Sequence, residues 1–177
     1  MSIHGRASYW DQEDEEDPAT LPPMLLKPVS SLSASLTFLA SSLPPALLTT
    51  IYKRIAAHIA GHLHQRLIYH RSKGRFTIVA GARFKSQCHI WIQTCEHALC
   101  GGAAKAKVRR PEGGWDKIQD AAAFLSIGEA EIGSAVSAAF DGDGETYAQL
   151  CEQLGLNRSL TLDEARDVLR ARADIRR

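Results

Sequence analysis

The stretch from Ser42 to Gly74 (SLPPALLTTIYKRIAAHIAGHLHQRLIYHRSKG) constrains this chain more than any other. Leu48, Ile51, Ile55, Ile59, Leu63 and Leu67 recur at steps of three and four, and Leu47 and Tyr52 widen the stripe. That spacing predicts one long amphipathic helix. Ser42 is a candidate N-cap, and Pro44 and Pro45 sit in the first turn, where a missing N–H costs nothing. Arg66, His70, Arg71 and Lys73 crowd the last turns before Gly74, suiting the helix dipole and a glycine stop. A helix with so broad an apolar face cannot stand alone, so the rest of the chain must supply its cover.

Several further segments have the same period. Val29, Leu32, Leu36 and Leu39 predict a helix over 29–40 that needs tertiary support, because four serines lower its propensity. Thr77 is an N-cap candidate for a helix carrying Phe84, Cys88, Trp91, Cys95 and Ala98 and ending at Gly101–Gly102. The short link before it predicts that these two helices are antiparallel neighbours. Ala103–Gly114 reads as a basic, glycine-bounded loop, followed by helices over 115–126, 129–140 and 145–154. Gly155 is a predicted C′ residue, and Thr161 with Glu164 forms a capping box for a last helix. FTIVAG is the one β-branched cluster, and it is too short to argue for a strand. The fold class is all-α, an antiparallel helical bundle of six to seven helices over residues 24–173. Residues 1–23, with six acids against Arg6, read as a disordered acidic tail, and 174–177 as a flexible C-terminus.

Charge and cysteine content narrow the function classes. The 177-residue chain has a formal charge of +1, which divides into −5 over residues 1–23 and +6 over the remainder. That balance is too weak for a typical nucleic-acid binder, although Lys105–Arg110 is the segment that would serve one. Cys88 and Cys95 share a helix face but lie about 10 Å apart, too far to bridge. Cys88, Cys95, Cys100 and Cys151 are read as reduced thiols. Residues Pro28–Tyr52 lack any charge, yet nine of them are Ser or Thr and Pro44–Pro45 interrupts them, so no transmembrane segment is expected.

No catalytic constellation stands out. His58 and His62, one helical turn apart, have chelating geometry, but Ile59 stands where a metallohydrolase needs its glutamate. A metal-dependent helical enzyme built on that pair is the alternative from a different class. Asp141–Glu152 mimics a calcium loop, with Thr146 in place of the required glycine, so Asp143 reads instead as the cap of the next helix. Arg66, Arg71, Lys73 and Arg75 form a basic helix–helix corner suited to anionic lipid heads or an acidic protein surface. They are the interaction candidates; no cofactor, metal or catalytic residue is assigned.

The segment Leu36–Thr77, with its Pro–Pro helix start and its Arg71, Gly74, Arg75 exit, resembles the C-terminal portion of the RINT/Tip family of vesicle-tethering subunits. The Cys88/Trp91/Thr94/Cys95 pattern and Trp115 opening a helix after an arginine-containing loop add to the likeness, which spans about residues 21 to 172. The resemblance implies a non-enzymatic helical-rod module of a Dsl-type complex in Golgi-to-endoplasmic-reticulum retrograde transport. Its implied partners are tether subunits and reticulum SNAREs, its implied place the cytoplasmic side of the reticulum membrane, held there peripherally. The family's N-terminal coiled-coil part has no counterpart in this chain, and Ala80 and His89 stand where acidic residues are expected. A truncated, non-functional tether copy is therefore a further alternative.

Overall fold

A computed structural model describes residues 23–66, 76–100, 108 and 110–175. They form seven α-helices: α1 (Pro23–Ser42), α2 (Pro45–His64), α3 (Ile78–Cys100), α4 (Asp116–Leu125), α5 (Glu129–Phe140), α6 (Gly144–Gln153) and α7 (Leu162–Arg170). A 3-10 turn, Pro111–Gly114, leads into α4 where the sequence reads as loop. Among the described residues there is no strand; the one extended pairing is an isolated parallel bridge between Phe76 and Arg172. The chain is an all-α helical bundle.

Local chemistry accounts for most of the boundaries. Thr77 Oγ1 accepts from Ala80 N–H at 3.1 Å to open α3. Asp143 Oδ1 accepts from both the backbone N–H and the hydroxyl of Thr146 to open α6. Thr161 and Glu164 close the capping box reciprocally, and Gly155 ends α6 with φ +64°, a conformation glycine adopts without Cβ strain. Two expectations need correction. Ser42 does not cap α2: it ends α1, its hydroxyl bonded back to Phe38 O, and the proline at 45 holds Pro44 extended so that α2 begins at Pro45. Likewise α1 runs 20 residues where the apolar period predicts twelve, and it accommodates Ser30, Ser35, Thr37 and Ser41 with their hydroxyls donating to carbonyls three or four residues back.

The short helix α4 occupies the centre, packing on α2, α3 and α7. Ile118, Ala121, Ala122, Phe124 and Leu125 are all sealed from solvent, so both its sides are used. Helix α3 lies mainly on α1 and α4, and α2 on α4 and the 3-10 turn; the predicted α2–α3 pairing is not a principal contact. The buried edge of α2 is Leu48, Tyr52, Ala56, Ala60 and His64, one residue round from the predicted Ile51–Ile55–Ile59 ridge. Small residues face inward because the helix comes close: a Cβ built on Gly114 would stand 2.5 Å from the Ala56 methyl. Ile59 and Leu63 still pack on the core, whereas Ile51 and Ile55 are half-buried on its flank.

At the other end of α4, the backbones of α3 and α4 nearly touch. A Cβ on Gly81 would lie 2.0 Å from Leu125 O, a backbone atom that cannot swing aside. Gly81→Ala is therefore expected to lower unfolding stability by about 2–3 kcal/mol, read from the urea midpoint. An unchanged midpoint would mean that α3 and α4 are more loosely apposed than described. Packing also runs past the predicted boundary at residue 173: Asp174 pairs with Arg172, and Ile175 rests on the core.

Candidate interaction surface

The buried polar and ionic groups belong to the architecture. Asp120 holds the loop between α6 and α7, and Arg172 holds the end of α4. Tyr52 and Trp115 join inside the core, the indole Nε1 donating to the phenol oxygen at 2.9 Å. Trp91 meets Trp115 edge-on at 6.4 Å, and its own Nε1 is enclosed without an acceptor among the described residues. Beside the two indoles, Leu25, Leu63, Phe84 and Cys88 line a partly open apolar pocket of about 100 Å³. Burial pushes the thiols of Cys88 and Cys95 up to about 12, so neither offers a thiolate nucleophile at neutral pH.

His64 shares the inner edge of α2. Burial, followed by the neighbouring Lys117 ammonium, lowers its pKa from the ordinary value near 6.5, while Glu164 and Asp167 pull the other way. The unfolded chain therefore binds a proton more readily than the fold does. Stability is complete above the ordinary imidazole value and falls as pH drops below about 6.5. The urea midpoint should decrease between pH 7 and pH 5, and His64→Leu should remove most of that decrease. An equal slope in the variant would place the titration elsewhere.

The outer side of α2 is built differently. Leu47 is 48% exposed, and Ile51 and Ile55 continue its line at four-residue steps. Next to this ridge runs a second one, Arg54, His58, His62 and Arg66, every member exposed. The two ridges make one amphipathic strip of α2 that faces solvent. Of the predicted basic corner, Arg66 lies on this strip, and Arg71, Lys73 and Arg75 fall outside the described residues. Lys105 and Lys107 also fall outside them, and Arg110 is engaged with Glu112 at 3.5 Å. His58 and His62 lie one turn apart on α2 as the sequence predicts, and among the described residues no three metal-ligating side chains gather at one point.

The wider surface has the same character. From residue 18 to residue 95 the chain contains nine Lys or Arg and not one Asp or Glu. The exposed large apolar side chains, Leu26, Phe38, Leu47 and Val79, all belong to this acid-free half, on α1, α2 and α3. Periodicity located the helices and missed Arg54, His58 and His62 as members of a surface. The available signal was the absence of acids along that run. No described helix is long and apolar enough to cross a membrane. No family model matches the sequence, and neither a curated protein nor a solved structure does.

Proposed function

We propose that this chain is a non-enzymatic interaction module whose acid-free stretch, from α1 through most of α3, grips protein partners. The observation that carries the reading is that the exposed apolar side chains Leu26, Phe38, Leu47 and Val79 and the exposed cations Arg54 and Arg66 all fall within one run of the chain that contains no Asp or Glu. Such a patch is the usual mark of an association surface, with the cations selecting an acidic counterpart. The likeness of residues 36–100 to RINT/Tip tethers supplies the setting: Golgi-to-reticulum retrograde traffic, with tether subunits and reticulum SNAREs as partners. That setting rests on the residues of the sequence alone. Tagged full-length chain recovered from cells should carry reticulum SNAREs and tether subunits, and Arg54→Glu/Arg66→Glu should lose them several-fold. Recovery of neither class, or equal recovery by the charge-reversed variant, overturns the reading.

A further inference from the structure

The apolar pocket beside the two indoles has one polar feature in its wall that the fold leaves unmet. Trp91 forms part of that wall, and its indole Nε1 is enclosed with no acceptor among the described residues. Such an N–H has given up its hydration and gained nothing in exchange. Trp115, by contrast, gives its own N–H to Tyr52 at 2.9 Å. We infer that the pocket binds a small neutral ring carrying one hydroxyl or carbonyl oxygen, and that this oxygen accepts from Trp91 Nε1.

Size, wall chemistry and charge agree on this class. A closed apolar cavity of about 150 Å³ takes benzene. At about 100 Å³ and partly open, this pocket suits a single ring whose edge reaches the mouth. Phe84, Trp91 and Trp115 line it, and the two indoles meet at 6.4 Å with 65° between their planes. Aromatic walls set at an angle give a ring both a face and an edge to pack against, whereas a flexible chain would lose more entropy for the same contact. No Lys, Arg, Asp or Glu takes part in the wall, and burial pushes the Cys88 thiol up to about 12, so it stays uncharged. A charged ligand would be desolvated there without a counter-ion. Water is a poor occupant too. An ordered molecule typically makes about three hydrogen bonds, and besides Trp91 the wall's one strong polar group is the Gln87 amide. Leu25, Leu63, Phe84 and Ile118 come from α1, α2, α3 and α4 in turn, so an occupant joins four helices. The inference goes beyond the proposed function and stands whether or not the partner is a tether or a SNARE.

Phenol is the probe, and toluene is its isostere with a methyl group in place of the hydroxyl. In the isotope-labelled full chain, three indole N–H signals report on three tryptophans, and the one missing from Trp91→Phe belongs to Trp91. Millimolar phenol should move that signal downfield and saturate, while toluene should bind without the downfield shift. Affinities of both probes for both proteins close a double-mutant cycle. In it, Trp91→Phe should weaken phenol several-fold relative to toluene. Leu63→Phe, which fills the pocket from α2, should abolish the response to either probe; helical circular dichroism keeps misfolding separate. Three results overturn the inference. One is the absence of any saturable shift with phenol. Another is a phenol-to-toluene ratio that Trp91→Phe leaves unchanged, which makes the pocket an unselective apolar void. The third is a shift that survives Leu63→Phe, which places the probe elsewhere.

Discussion

Arg172→Met is expected to lower unfolding stability by about 3–5 kcal/mol, the range for removing one member of a buried ionic cluster. The guanidinium is entirely sealed from solvent. Its Nη1 donates to the carbonyl oxygens of Phe124, Leu125 and Ile127 at 3.1, 3.2 and 2.8 Å, where α4 ends and its last carbonyls have no helical partner. Its Nε and Nη2 donate in parallel to the two oxygens of Asp174. Methionine fills much of the volume but leaves three buried acceptors and a carboxylate without their donor. Arg172→Lys should recover only a small part of the loss, because a point charge cannot make the fork and the carbonyl contacts together. Urea titration near neutral pH measures both. A second readout is Asp174, whose carboxyl Arg172 holds below the usual range, so its titration should move up in the methionine variant. A stability change under about 1 kcal/mol would mean that water satisfies those carbonyls.

Asp120→Ala is expected to lower stability by about 3 kcal/mol. The carboxylate, buried in the middle of α4, accepts from the backbone N–H of Asn157 and of Ser159 at 2.9 and 2.8 Å. It also accepts from the Asn157 amide and the Ser159 hydroxyl. Four donors converge on two oxygens, which fixes the connection from α6 to α7. Arg158, between the two anchored residues, is held at φ 57°, a left-handed conformation unfavourable for a residue with a Cβ. Removing the anchor should let that turn relax, so amide exchange at Asn157 and Ser159 should accelerate well before global unfolding does. Asp120→Asn should fall between, since one of its two oxygens becomes a donor. Exchange that stays slow in the alanine variant would assign the turn's rigidity to α6 and α7 themselves.

Features whose cause is local were legible. The Thr161–Glu164 box, the Asp143 cap and the extent of α5 each depend on residues within one turn, so spacing alone reveals them. The inward face of α2 was not legible in the same way. Periodicity weighs a residue by how apolar it is, and isoleucine outweighs alanine. Yet close approach to Gly114 demands alanine, which pushes Ile51 and Ile55 to the flank. Arg172 was invisible for another reason. Its carbonyl acceptors lie 45 to 48 residues earlier, and a nearby aspartate such as Asp174 does not distinguish it from a solvated arginine. Of the surface, Arg66 was legible as an exposed cation and His58 with His62 as neighbours one turn apart, but their union with Leu47, Ile51 and Ile55 depends on which way α2 is rotated.

The pairing of Phe76 with Arg172 has an outcome for how the protein is born. Phe76 gives its N–H to Ala171 O and takes the N–H of Ala173, so the entrance to α3 is secured by a stretch translated long after it. A ribosome that has made α1 to α6 holds a chain whose α3 entrance and α4 exit both still lack their fastener. Closure is thus a late event in synthesis, and until then the nascent polypeptide presents unfinished apolar surface for chaperones to shield.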